Sequence, residues 1–317
     1  MNSATNLVSI LKSAGDSLRM DILAVLKEAS FGVQELASIF EMSQPAMSHH
    51  LKILLKSGLV ETRREANSIF YKRSLTQRES EDFLIKKAIF ESLDALEIKA
   101  DLLSKIVKIF ETRAESSKEY FEKNADEFFE RQRKITSTSE YLEPLLDVVS
   151  SENIEAGAKV LEVGPGDGEL LKELISKSYK VVALDSSHNM LAKTKSQLSE
   201  DQLSKVDFIE TDLSGLNKES CFDLVCMNMV LHHMASPKQA FDDVAKALKS
   251  KGVLLMADLC PHNQEWAKEL CGDVWFGFSP DELSSMAEDA GFEKGLSSFI
   301  GLKNGFQIQL RTFLKYK

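Results

Sequence analysis

The chain has 317 residues, 43% of them hydrophobic and 28% charged, with a formal net charge of −10, which is enough for two domains with cores of their own. No apolar run approaches the roughly 18 residues of a membrane span, and MNSATNLVSILKSAG has no basic cluster ahead of a long apolar stretch, so membrane and secreted classes are disfavoured and a cytoplasmic location is expected. The four cysteines, Cys221, Cys226, Cys260 and Cys271, include no CxxC pair, which points to reduced thiols rather than disulfides or a zinc site.

The negative total hides an uneven distribution. Residues 1–80 hold ten Lys and Arg against eight Asp and Glu, whereas the remainder holds 29 against 41. Within 44–73, Lys52, Lys56, Arg63, Arg64, Lys72 and Arg73 face only Glu61 and Glu65, a positive island suited to a phosphate backbone. In chain order, SLRMDILAVLKE sets Leu18, Ile22, Val25 and Leu26 on one helical face, and VQELASIFE repeats the pattern with Val33, Leu36, Ala37 and Phe40. In MSQPAMSHHLKILLKSG, Ser43 reads as the N-cap, Pro45 lies in the first turn and Gly58 stands just past the end. Met47, Leu51, Leu54 and Leu55 share its inward face, leaving Gln44, Ser48, His49 and Lys52 outward near the end that meets base edges in a helix-turn-helix. LVETRREANSIFYKRS then alternates around ANS, as a hairpin with basic flanks does.

From about residue 11 to 74 the sequence resembles the winged-helix domain of ArsR-type bacterial repressors, on LKSAGDSLRMDIL, SQPAMSHHLKILLKSGLV and the wing TRREANSIFYKRS taken together. The resemblance implies double-stranded operator DNA as partner, with Gln44, Ser48, His49 and Lys52 towards the bases and Arg63 and Arg64 on the backbone. Many members of that family sense metals through cysteines on the helix corresponding to VQELASIFE, or through His and Asp near the end of the following dimerisation helix. This sequence departs from the pattern. No cysteine precedes Cys221, and none of the six histidines falls on the helix after the wing, so no metal ligands are expected.

Between 77 and 134 Gly and Pro are nearly absent, and Ile89, Leu93, Leu96, Ala100, Leu103, Val107 and Phe110 recur at spacings of four and three. The spacing predicts either a helix packed on its own domain or a homodimer seam, the latter favoured because helix-turn-helix proteins read twofold-related half-sites. Beyond it, SSKEYFEKNADEFFERQRK gathers Tyr120, Phe121, Phe128 and Phe129, as core or as a cap over the next domain.

AKVLEVGPGDGELLKELIS reads as a buried strand, a glycine turn and an amphipathic helix, in which Gly164 and Gly166 let the backbone approach a ligand. KVVALDSS ends a second strand in Asp185, placed as a carboxylate that holds two ribose hydroxyls. VDFIETDL leads to Asp212, FDLVCMNMVLHHM passes Asn228 to His232 and His233, and KGVLLMADL follows the helix PKQAFDDVAKALKS. Strand and helix alternate, which gives a doubly wound parallel sheet, and FEKGLSSFIG with FQIQLRTFLKYK adds an antiparallel edge hairpin.

From about residue 141 to 317 this resembles the class I S-adenosylmethionine-dependent methyltransferases. Carried over position by position, Glu162, Gly164, Gly166 and Gly168 stand in the nucleoside loop, Asp185 and Ser186 at the ribose, Asp212 and Leu213 at the adenine and Asn228 at the end of the fourth strand. A dinucleotide fold is the competitor, disfavoured because the loop is GxGxG rather than GxGxxG. The expected architecture is therefore α/β: a winged helix-turn-helix over 1–76, a helical dimerisation and lid connector over 77–140 and a Rossmann-like methyltransferase domain over 141–317. The pairing resembles ArsR-type regulators that respond to S-adenosylhomocysteine. It implies a regulator with S-adenosylmethionine or S-adenosylhomocysteine as effector; the alternative is a methyltransferase on a small-molecule acceptor, with His233 as base or positioning group. Cys260 and Cys271 raise arsenic methylation, but buried unreactive thiols are the expectation.

Overall fold

The computed structural model describes residues 3–75 and 80–316, and the chain divides into two compact units, 1–113 and 114–317. Polar and apolar residues at helical spacing open the first unit with α1 (Ser3–Ala14), α2 (Ser17–Glu28), the short β1 (Phe31–Gly32) and α3 (Val33–Ile39). Asp16 starts α2 by accepting the Arg19 amide at 3.0 Å. Then come α4 (Gln44–Lys56), β2 (Val60–Glu65), β3 (Ser68–Arg73) and α5 (Phe83–Asp94). Ser43 sits at the N-cap of α4 in extended backbone, although its side chain makes no cap hydrogen bond. The helix stops in a Schellman turn: Gly58 at φ +68 donates to Leu55 and Leu59 donates to Leu54, both at 3.1 Å. Strands β1, β3 and β2 form a small antiparallel sheet, with Glu61 opposite Lys72 and Arg64 opposite Ile69.

The expected seam over 89–110 is not one continuous helical stripe. Helix α5 ends at Asp94, and a second helix, α6 (Ala100–Gln132), begins after a break at 95–99. Leu93 is buried and Phe110 stacks on Phe31 at 5.8 Å within the same unit, while Leu96, Leu103 and Val107 are exposed. Period alone does not register a loop that happens to preserve phase. The helical connector expected between the two domains is present as α5 and α6, and α6 contributes Leu102 and Ile106 to the first core and Ala125 and Phe128 to a cluster in the second unit.

The second unit continues with α7 (Leu142–Ser151), β4 (Lys159–Val163), α8 (Glu169–Ser176), β5 (Lys180–Asp185), α9 (His188–Ser196), α10 (Glu200–Leu203), β6 (Val206–Glu210), β7 (Phe222–Asn228), α11 (Pro237–Ala247), β8 (Leu248–Leu259), α12 (Trp266–Cys271), α13 (Pro280–Asp289), β9 (Phe292–Gly301) and β10 (Gln307–Lys315). Its seven-stranded sheet has the order β6-β5-β4-β7-β8-β10-β9, parallel through β8 and antiparallel at β10 and β9. The inner strands β4, β5 and β7 are buried along nearly their whole length, as strands covered on both faces are, whereas the edge strand β6 is buried only at Val206. Strand order reverses between β4 and β7, so the carboxyl ends of these two strands open a crevice of the kind in which ligands bind in such sheets. Among the described residues no helix is long and apolar enough to cross a membrane.

Candidate functional site

On the first unit, Gln44, His49 and Lys52 are exposed along α4 and Ser48 is half-buried, as the helical spacing requires; Leu55, expected inward, is exposed. The inward face is formed by Met47, Leu51 and Leu54. The positive island is smaller than its composition. Lys72 pairs with Glu61 at 2.9 Å, Arg73 with Asp94 at 2.7 Å, and the Arg63 guanidinium with the buried carboxylate of Glu65. Arg63 is thus held inside the hairpin. Arg64 is exposed and donates to the Ala66 carbonyl at 2.9 Å, and Arg64, Lys52 and Lys56 make no ion pair among the described residues.

In the second unit the carboxyl ends of β4, β5 and β7 converge on the glycine turn. Gly164, Gly166 and Gly168 have φ of +63, +53 and +73. A Cβ on Gly164 would stand 2.7 Å from Val230 Cγ2, so side-chain room and backbone angle both demand glycine there. Glu162, on β4 just before the turn, is 1% exposed, and neither carboxylate oxygen has a hydrogen-bond partner among the described residues. Burial, with the Asp167 carboxylate second, holds its pKa well above the usual range. Asp185 ends β5 and accepts the Ser187 amide at 2.9 Å; burial pushes its pKa to about 6, with Glu122 adding to the shift. Its neighbour Ser186 is half-buried. Asp212 and Leu213 follow β6, the first exposed and capping Gly215 at 2.7 Å, the second buried. Asn228 ends β7 and accepts from the Tyr141 hydroxyl at 2.9 Å.

The aromatics of α6 stand over this end of the sheet. Phe129 lies 4.0 Å from where a Gly166 Cβ would be, and Phe121 and Phe128 meet the His233 ring edge-on at centroid distances of 5.0 and 6.0 Å. Tyr120 is committed elsewhere: its hydroxyl donates to the Leu270 carbonyl, and its ring covers Gly272, where a Cβ would lie 2.4 Å away. Trp275 is buried and donates to the Met234 carbonyl at 2.8 Å, and His262 stacks on Phe276.

Sequence reasoning missed a buried polar network beside these residues. Asp258, the last residue but one of β8, accepts the Leu231 amide at 2.9 Å and the Leu259 amide at 2.8 Å, and faces His232 Nδ1 at 2.8 Å. Burial alone would lower the His232 pKa, but the Asp258 carboxylate outweighs it and the net direction is upward; burial and the charge of His232 push His233 well down. Asp273 lies 3.9 Å from a nitrogen of each histidine and 4.0 Å from His262 Nε2. A lone carboxylate inside GVLLMADL was the available signal, since a buried acid in a strand needs partners. Cys226, Cys260 and Cys271 are buried, with Cys271 raised by burial to about 12, which is the environment of an unreactive thiol.

Residues 16–62 match the family of bacterial regulatory proteins of the arsR type, and residues 129–295, more than half of the chain, match the methyltransferase domain family. The chain belongs to the methyltransferase-domain family. It carries an ArsR-family helix-turn-helix domain in front. This ArsR–methyltransferase fusion is similar to the transcriptional activator HlyU of Vibrio cholerae, 43% identical over 76 residues that make up 24% of this chain and 69% of that protein. It is also similar to the arsenical resistance operon repressor of Staphylococcus aureus, 39% identical over 69 residues, 22% of this chain and 66% of the repressor. The 1,6-didemethyltoxoflavin-N1-methyltransferase of Burkholderia thailandensis, solved with 1,6-didemethyltoxoflavin and S-adenosylhomocysteine, shares the fold at a TM-score of 0.54 and 18% identity, over 66% of this chain and 91% of that one. The fusion spans between 59% and 69% of the length of the curated regulators it matches, and between 47% and 63% of the curated methyltransferases.

Proposed function

We propose that the fusion is a DNA-binding regulator whose methyltransferase-fold unit takes S-adenosylmethionine or S-adenosylhomocysteine as effector. The observation that carries this reading is Glu162, a buried carboxylate with no hydrogen-bond partner among the described residues, standing directly before a glycine turn that a side chain would block. An isolated buried acid is costly. A nucleoside bearing an amino group on its amino-acid arm supplies the missing donor, while Asp185 receives the ribose hydroxyls and Asp212 with Leu213 bounds the base. The adenosyl sulfonium, when bound, supplies a transferable methyl group.

Gln44, Ser48, His49 and Lys52 read base edges of a double-stranded operator, and Arg64 and Lys56 hold phosphates. Arg63 stabilises the wing instead. The protein acts as a homodimer through the exposed apolar residues of the first unit, Leu7, Val8 and Leu11 on α1 with Leu103 and Val107 on α6. Helix α6, which supplies Leu102 and Ile106 to the first core and Ala125 and Phe128 to the Met190 cluster of the second unit, is the link by which occupancy alters DNA affinity.

A second reading, an active methyltransferase on a small acceptor, is favoured by one observation: the His233 ring packs edge-on against both Phe121 and Phe128, where it can position an acceptor. One experiment separates them. An operator duplex is selected from a random pool, and its affinity is measured by fluorescence anisotropy with S-adenosylmethionine, with S-adenosylhomocysteine and with neither. A regulator shows different affinities, and the duplex changes nucleoside affinity by the same factor. Equal affinities in all three conditions, with nucleoside bound, leave the enzyme reading.

A further inference from the structure

Beyond the nucleoside reading, and independent of it, the buried network at the end of β7 has the composition of a metal centre. One nitrogen each from His232 and His233 and one carboxylate oxygen of Asp273 lie within 4.8 Å of one another, and all three residues are buried. We propose that His232, His233 and Asp273 hold a divalent transition-metal ion of the zinc class.

Three observations point the same way. The donor set is two imidazoles and a carboxylate, which suits zinc, cobalt, nickel or ferrous iron and gives magnesium and calcium too few oxygens. His232 is oriented as metal-bound imidazoles are: Nδ1 faces Asp258 at 2.8 Å, Asp258 is fixed by the Leu231 and Leu259 amides, and Nε2 is left towards Asp273 at 3.9 Å. The third ligand is held in register by backbone, because the amides of Val274 and Trp275 both donate to the His232 carbonyl at 3.0 Å and tie the 272–275 loop to the histidine turn.

The present ligand separations are somewhat wider than those around a four-coordinate ion bound at about 2.0–2.2 Å. Closure on an ion draws Asp273 and the imidazoles together, and the 3.2 Å contact between His233 Nδ1 and the Gly272 carbonyl is the interaction exchanged for it. His262 is placed to support rather than ligate. Its Nδ1 accepts the Gln264 amide at 3.2 Å, so the proton sits on Nε2, which faces Asp273 at 4.0 Å. Three protein ligands leave a further coordination position, the arrangement of a site that can bind a substrate group. On this reading His233 is a ligand and not a base.

The test uses tag-free full-length protein, stripped with chelator and titrated with Co²⁺ followed visibly, then with Zn²⁺ in competition. One equivalent of Co²⁺ should bind with the ligand-field absorption of a low-coordinate site and be displaced by Zn²⁺. Asp273→Asn and His232→Gln should lose it, Asp258→Asn should weaken it by about ten- to a hundredfold as a supporting partner does, and Cys271→Ala should leave it unchanged. Wild-type protein that takes up neither ion overturns the proposal and leaves the network held by protons alone, whatever the variants do. An ion that persists in folded Asp273→Asn, or that leaves with Cys271→Ala, overturns it equally. Nucleoside binding, measured in parallel, is not required for uptake, so failure here and failure of the nucleoside reading are distinguishable.

Discussion

In the wing, charge is matched within the hairpin and its neighbours: Glu61 meets Lys72 across the strands, Glu65 meets Arg63, and Asp94 meets Arg73. At the glycine turn of the second unit it is not, since Glu162 is buried with neither oxygen hydrogen-bonded among the described residues and Asp185 keeps its carboxylate at the crevice with only local amides. Charges that shape a fold are neutralised by the fold. A carboxylate held at a desolvation cost without such a partner marks a place where something else completes the site.

The sharpest way to break that contrast is Asp185→Ala. Two charge-assisted hydrogen bonds to a ribose are worth several kcal/mol, so nucleoside affinity should fall by about a hundredfold or more, while ligand-free operator affinity stays as in the wild type; calorimetry and anisotropy read the two. Next, Gln44→Ala or His49→Ala should reduce discrimination between selected and scrambled duplexes by about 1–3 kcal/mol per lost base contact, seen as a narrowing ratio of the two affinities. The two arginines of the wing should then part company. Arg63→Ala removes the guanidinium from buried Glu65 and should cost on the order of 1–3 kcal/mol in denaturant unfolding, whereas Arg64→Ala should leave stability alone and reduce the slope of log affinity against log salt by about 1. Equal behaviour of the pair would contradict the division drawn here between folding and DNA-facing charge.

The smallest effect is that of pH. The Asp185 pKa is raised to about 6 by burial and by Glu122, and the form that accepts ribose hydroxyls is the carboxylate. If Asp185 holds the ribose as proposed, nucleoside affinity should therefore be present above pH 6 and lost below it. For a single group it should drop roughly fourfold between pH 7 and 5.5, with proton release on binding in that range. An affinity flat across the interval would remove Asp185 from the ribose.

Much of this was readable in the chain. The glycine turn, the acid 21 residues beyond Gly164 and the alternation of strand and helix are local patterns, and local patterns survive being read without coordinates. The Schellman stop at Gly58 was legible for the same reason. Three things were not. The 95–99 break preserves the heptad phase, so periodicity passed across a loop. The neutralised wing depends on register, in which the two-residue turn at Ala66 and Asn67 sets Glu61 against Lys72; counting charges ignores register. The network of His232, Asp258 and Asp273 joins residues 26 and 41 positions apart, brought together by the parallel crossover and the loop after α12.

Strand β9 is the last in the sheet, and nearly all of its side chains are exposed, Leu296 and Phe299 among them. Among the described residues no strand pairs with its outer row of amide and carbonyl groups, which is the template on which a second chain can add itself. Two features blunt it. The β9–β10 register slips between Arg311 and Phe313, twisting the ladder, and Glu293 and Lys294 put opposite charges at one end. The remainder of the strand, GLSSFIG, has no charge at all. When this protein is concentrated, or when heating loosens the hairpin, aggregation should begin there, and a lysine at Ser297 or Ser298 should raise the concentration it tolerates.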